Sequence, residues 1–362
     1  MTRFAKLIKS LKYPIIQAPM AGGVVSPAMI AAVTKAGGLG SLPLGYLDAK
    51  AAEDVIKKTL AVTSGAFSVN VFIPSKPKLM STEQVNQMLT HVNKYRQQLG
   101  LNALTEIPSL QETPAEELID IAVHHGVRIV SFTFGTLSRE TIERLHRSDV
   151  MVMGTATTVN EGKLLQALGC DAVIAQGFEA GGHRGGGYIE NESGGEIGTM
   201  VLIPQMVDAL DTPVIGTGGI MDGRGIAASL MLGATAVQLG TAFLASKESL
   251  ATVLHKQTLL ESPDNSTCIT TSFTGKAVRA IKNEYITETE DQFSINDLLP
   301  YPIQHQATKE FRAKANQSQM TQWTSFWSGQ GHRMSRQLTV AELMEKFSQE
   351  MQEANSRNRP TP

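Results

Sequence analysis

Strand-like and helix-like segments alternate eight times between residues 14 and 260, and that alternation restricts the fold more than any other feature of the chain. Runs at 14–20, 39–42, 67–73, 128–134, 150–154, 171–176, 213–217 and 236–239 read as strands, and the apolar run at 172–175 as one buried on both faces. That is the pattern of parallel strands covered by helices. Helical patterns follow them at 27–35, 49–60, 113–125, 138–146, 159–168, 200–210, 223–232 and 248–260. Local signals mark several ends: Ser26 and Asp48 at N-cap positions, Pro27 at a first helical position, and Gly37-Gly38 as a stop. An open doubly wound sheet is the structural rival. Eight units match a closed α/β barrel, the (β/α)8 TIM barrel, and that fold is expected here.

The expected barrel occupies residues 1–260 as the cofactor-binding unit, interrupted after strand three by an insertion at about 74–112. That stretch is polar, punctuated by proline and helical only at 82–98, too long for a simple connection. Residues 261–362 show helical periodicity at 307–320 and 340–351 and no strand signal, so a mainly helical cap over the barrel is expected. The formal charge of −2 gives no basic footprint, which argues against nucleic acid and anionic membranes as partners. Two cysteines do not make a disulfide framework, and no apolar run reaches the length of a membrane span. Residues 1–13 are basic but lack a following apolar segment, so no signal peptide is expected and a cytoplasmic setting is.

In a parallel barrel the active site forms at the carboxyl ends of the strands. Strand one ends in Gln17-Ala-Pro-Met20-Ala-Gly22-Gly23, strand three reaches Asn70, and strand six ends in Gln176-Gly177. From there a glycine-rich loop runs to Gly187 with His183 in its middle. Strand seven ends in Gly216-Thr-Gly218-Gly219 and strand eight in Gln238-Leu239-Gly240-Thr241. Neighbouring glycine loops after strands seven and eight expose backbone N–H groups where barrel enzymes bind phosphate. The neutral amide and thioether groups around the mouth suit a planar heterocycle with mixed donors and acceptors. Together with the phosphate cradle they point to flavin mononucleotide (FMN). No Gly-x-Gly-x-x-Gly follows strand one, and no His, Cys, Asp or Glu cluster has metal-ligand spacing.

The blocks Gln17–Gly23, Ala36–Gly40, Ser131–Gly135, Gln176–Gly185, Gly216–Ile220, Gln238–Phe243, Phe273–Arg279 and Trp327–Gly331 occur in an order that resembles the nitronate monooxygenases, formerly called 2-nitropropane dioxygenases. The fourth-strand block continues into Thr136-Leu137 where that family more usually has a proline. The resemblance implies an FMN-dependent barrel oxidoreductase. It would oxidise alkyl nitronates such as propionate 3-nitronate with molecular oxygen through a flavin semiquinone, a detoxification. Carried over by position, cofactor contacts would fall on Met20, Ala21, Gly22, Asn70, Gln176, Gly181, Gly182, Gly218, Gly219, Gln238, Leu239, Gly240 and Thr241. His183 would be catalytic, either taking a proton from a neutral nitroalkane or donating a hydrogen bond to an anionic nitronate. Glu179 either orients His183 or sits at the rim, and Arg184 either attracts anions or is solvated. Lys276 and Arg279 lie near the phosphate or a lid, or are solvated; Tyr301 and Trp327 line a lid or pack in the cap. Competing functions are a flavin-dependent NAD(P)H reductase on the same barrel, of the enoyl-acyl-carrier-protein or quinone type, and a flavin-binding protein without turnover. The expected assembly is a monomer or homodimer.

Overall fold

The computed structural model describes residues 1–74, 80–109, 113–189 and 195–357. Parts of the expected insertion (75–79 and 110–112) and of the expected cap (358–362) lie outside the described residues. Eleven strands are present among them: β1 Ile15–Gln17, β2 Gly40–Pro43, β3 Phe67–Phe72, β4 Ile129–Thr133, β5 Met151–Ala156, β6 Ala172–Gln176, β7 Gly182–His183, β8 Val214–Thr217, β9 Ala236–Leu239, β10 Thr267–Thr270 and β11 Val278–Ile281. Eight of them form one parallel sheet in the order β1-β9-β8-β6-β5-β4-β3-β2. A parallel bridge between Ile16 and Leu39 joins its two ends, with Gln17 N donating to Leu39 O at 2.9 Å. The result is the expected (β/α)8 barrel.

The barrel interior holds Ile16, Leu39, Ile129, Met153, Ile174 and Ile215. A helix that sequence reading did not anticipate, Arg3–Ser10, closes its amino-terminal end with Phe4 and Ile8. Thr2 caps it by accepting a hydrogen bond from Ala5 N. The larger core lies between strands and outer helices, so the strands are buried on both faces.

The outer layer departs from expectation at its last position. The helix expected at 248–260 is present as Val253–Glu261, but it packs with Ile281 and Phe326 on the carboxyl side of the barrel. The gap between the helices Gly223–Met231 and Pro27–Ala36 is filled instead by the C-terminal helix Val340–Arg357. Gly223 permits this closeness: a Cβ there would lie 2.4 Å from Phe347 O and Met351 N. Glu248 accepts from Val340 N at that helix's start, and Glu350 accepts from Gly223 N. A barrel helix ordinarily follows its strand directly. Here a long excursion separates β9 from the helix that completes the ring, and neither the periodicity nor the order of elements announces it.

That excursion is not free of strands. β10 and β11 pair antiparallel, and β11 pairs in turn with β7, placing Val278 opposite His183. The pairing partner is nearly a hundred positions away in sequence, so no local hairpin signal marks these short segments. The helix Thr82–Gln98 of the insertion packs against the excursion in a core of its own, with Met88, Val92 and Tyr95 against Tyr285, Phe311 and Trp323.

Candidate active site

The carboxyl ends of the barrel strands and the inner face of the excursion enclose a cavity of about 650 Å³. That volume is in the range of small-molecule and cofactor sites. Met20, Ala21, Gly22, Asn70, Gln176, Gly181, Gly182, His183, Gly218, Gly219, Gln238, Gly240 and Thr241 all line it. Leu239 does not. Its side chain is 1% exposed in the core beneath the helices, and its carbonyl accepts from Ala18 N at 2.8 Å. Side chains alternate along a strand, so Leu239 faces away from the cavity that its neighbour Gln238 lines.

The polar lining is mostly neutral. Asn70 is held by Nδ2 donating to Ser131 Oγ at 2.9 Å, and Thr217 Oγ1 donates to Gln238 O at 2.7 Å. Gly218 and Gly219 have φ of 114° and 67°, a conformation that glycine adopts at no steric cost. A Cβ on Gly218 would come 2.8 Å from Thr199 Oγ1. Thr241 Oγ1 accepts from Gly329 N at 2.9 Å, tying the β9 loop to the excursion.

The Gln176 amide spans the base of the glycine loop. Its Nε2 donates to His183 O at 3.1 Å and its Oε1 accepts from Gly185 N at 2.8 Å. Arg184 is buried and donates to the carbonyls of Gly177, Gln176 and Gly195, so it braces the loop and is neither solvated nor turned to attract anions. Glu179 accepts from Thr199 N and Oγ1, which caps the helix Thr199–Ala209; it does not reach His183. Arg279 donates to Phe178 O and Thr267 Oγ1, another brace.

His183 sits at the cavity wall between three aromatic rings, with ring centroids 5.6 Å from Phe134, 5.7 Å from Tyr301 and 5.8 Å from Trp327. Its Nε2 lies 3.0 Å from Thr274 Oγ1. The Thr274 hydroxyl has one proton, and it is directed at Lys276 O, 3.1 Å away. With the hydroxyl proton on Lys276 O, the hydroxyl accepts from the ring, which places the imidazole proton on Nε2 and the lone pair on Nδ1. Burial, then the charges of Lys276 and Arg312, lower the imidazole pKa to about 3. The ring is neutral at physiological pH. Lys276 is itself lowered by burial, with its ammonium 4.9 Å over the Phe134 ring.

Sequence reading missed the far wall. The helix Ile303–Gln317 presents His305, Lys309 and Arg312 to the cavity at one-turn and two-turn spacing. His305 stacks on Tyr46 at 4.8 Å and accepts from Arg312 Nη2 at 3.2 Å if Nδ1 bears its lone pair. Burial lowers its pKa, Arg312 adding to the effect. The spacing His305…Lys309…Arg312 was the available signal, but a basic helical face is usually a solvated one.

A parallel barrel that gathers a neutral amide ring, a glycine cradle and a buried imidazole around one cavity is a barrel enzyme with room for a cofactor. The sequence pattern described as nitronate monooxygenase matches residues 4–350. A probable nitronate monooxygenase of Staphylococcus haemolyticus (strain JCSC1435) is 41% identical over 343 residues, 94% of this chain and 95% of that one. One of Bacillus subtilis (strain 168) is 39% identical over 345 residues, covering 94% and 96%. The fold is also similar to a nitroalkane oxidase from Streptomyces ansochromogenes, with TM-score 0.90 and 37% identity over 98% of this chain and 100% of that one. The chain belongs to the nitronate monooxygenase family, and is an oxidoreductase of a flavin-dependent group that acts on nitro compounds. Among the described residues no helix is long and apolar enough to cross a membrane, and no group of three or more His, Cys, Asp or Glu is placed to hold a metal.

Proposed function

We propose that the protein oxidises alkyl nitronates, of the propionate 3-nitronate type, with molecular oxygen and FMN, as a cytoplasmic detoxifying enzyme. The observation that carries this reading is a cavity whose charged lining groups, Lys309 and Arg312, are cations, set beside a neutral His183.

The residues present fit FMN. The cavity volume suits a ligand of that size, and the glycines at 218, 219 and 240 line it, where backbone N–H groups would hold a phosphate. Asn70 and Gln238 offer neutral donors and acceptors to a heterocycle. FMN bound there would supply the redox centre between the nitro compound and oxygen.

The remaining chemistry belongs to the side chains. Thr274 Oγ1 accepts the hydrogen bond from Nε2 of His183, so a neutral His183 has no N–H to offer a nitro oxygen. Its Nδ1 lone pair has no hydrogen bond among the described residues and is the basic atom. Against a neutral nitroalkane it removes the α-proton, for which a placed base contributes roughly 10²–10⁴-fold. The resulting imidazolium beside Lys276 and Arg312 is costly, and the nitronate formed in contact with it offsets that cost. A substrate that arrives as a nitronate needs no proton removed and meets the same cations favourably. Phe134, Tyr301 and Trp327 surround the imidazole with apolar ring surface, which strengthens these interactions.

His183→Asn tests the assignment. FMN content stays at the wild-type level, turnover of neutral nitroethane falls by about 10²–10⁴-fold, and turnover of pre-formed ethylnitronate falls much less. Equal, small losses on both substrates would remove the base role.

A further inference from the structure

We propose that Arg312 is the residue that binds the substrate's negative charge, making the site selective for nitronates over neutral nitroalkanes. This rests on the reading of the cavity as a nitronate-oxidising site and names the residue that does the selecting.

Arg312 is 8% exposed and lines the cavity. A cation that deeply buried is ordinarily paired with a carboxylate. Arg312 has only neutral partners among the described residues. Its Nε donates to Thr308 Oγ1 at 3.0 Å, its Nη1 to Ser325 Oγ at 3.2 Å, and its Nη2 to His305 Nδ1 at 3.2 Å and His305 O at 3.4 Å. Those bonds leave one Nη1 hydrogen without a protein acceptor. Burial lowers its pKa to about 10, and among the described residues no carboxylate opposes that shift. The guanidinium faces the Phe273 and Trp327 rings at 5.8 and 5.9 Å. The fold has thus paid to bury a positive charge and has supplied no counter-ion.

The missing counter-ion belongs to what the cavity receives. His183 touches the same Trp327 ring, so an anion at Arg312 lies on the side of the cavity where His183 works. A nitronate is a planar anion with two oxygens on one nitrogen, and one of them would accept from the remaining Nη1 hydrogen in a charge-assisted hydrogen bond. A neutral nitroalkane lacks the charge that would compensate Arg312. Lys309, exposed at the mouth one turn earlier, adds to the attraction of anions.

The test uses flavin-loaded protein and two measurements. Calorimetry compares propionate, an inert planar anion, with neutral propionamide; steady-state kinetics uses ethylnitronate. Wild type is expected to bind propionate and not propionamide. Arg312→Met is expected to keep its flavin, lose propionate binding and raise KM for ethylnitronate by about 10- to 100-fold, the loss of one charge-assisted hydrogen bond. Its kcat changes far less, and Arg312→Lys recovers part of the KM. Arg312→Met with wild-type propionate binding and KM would overturn the proposal, as would loss of FMN with unchanged kinetics in the flavin-loaded fraction, which would give Arg312 to the cofactor. If Arg312→Met does not fold, wild type decides: equal affinity for propionate and propionamide overturns it. Arg312-dependent propionate binding without any nitronate turnover would instead leave the anion site standing and remove the functional reading.

Discussion

His183 Nε2 stands 3.0 Å from Thr274 Oγ1, and Thr274 directs its own proton to the Lys276 carbonyl at 3.1 Å. The loop between β10 and β11 therefore sets the tautomer of an imidazole on β7, and the antiparallel pairing of β11 with β7 holds the two together. The excursion between β9 and the last helix is part of the site as well as its cover.

Thr274→Val removes the acceptor and keeps the volume. The Nε2 proton is then unpaired, and the ring samples the other tautomer or another rotamer. Losing one net hydrogen bond of about 1–1.5 kcal/mol predicts roughly a tenfold fall in kcat on nitroalkanes. Thr274→Ser keeps the hydroxyl and should stay close to wild type. Steady-state kinetics at matched flavin content checks both, and a fall in the serine variant as large as in the valine variant would contradict the assigned tautomer.

Gly181 is where the glycine loop and the excursion touch. A Cβ there would lie 2.3 Å from Gly329 N and 2.5 Å from the Ser328 carbonyl carbon. Both are backbone atoms and cannot rotate aside. Gly181→Ala should cost about 1–3 kcal/mol through forced separation of the two segments. A lower melting temperature and a loss of bound flavin are expected. An unchanged melt would mean that this contact is looser than the geometry describes.

Four histidines are held neutral by burial. His183 is lowered to about 3, His91 and His255 to about 4, and His305 is lowered as well. In the unfolded chain each titrates near 6.5. The unfolded state thus binds more protons than the folded one below that pH, and stability rises with pH across the interval. The contribution is fully present above about pH 6.5 and is lost as the pH falls towards 4. Thermal melts at pH 7.5 and pH 5 should differ, with the acidic sample melting lower. Equal melting temperatures would show that these rings are protonated in the folded protein.

What the sequence made legible followed local rules. Buried strands announce themselves as apolar runs, and the glycine loops follow them directly, so the barrel and the lining from Met20 to Thr241 could be placed from the residues alone. Leu239 was included because a run of consecutive residues was carried over whole, whereas strand alternation sends Gln238 and Leu239 to opposite faces. The closing helix Val340–Arg357, the sheet of β7, β10 and β11, and the wall of His305 and Arg312 depend on contacts between distant segments. Arg184 and Glu179 looked functional for their charge, yet both spend it on backbone groups of the loop that carries His183.

The central claim is that electrons enter from a nitronate and leave to oxygen. The most direct measurement is the absorption spectrum of the flavin-loaded protein without air, mixed separately with propionate 3-nitronate and with NADH. The nitronate is expected to change the flavin spectrum, admitted air to restore it, and NADH to leave it unchanged. Rapid bleaching by NADH with no response to the nitronate would contradict the claim.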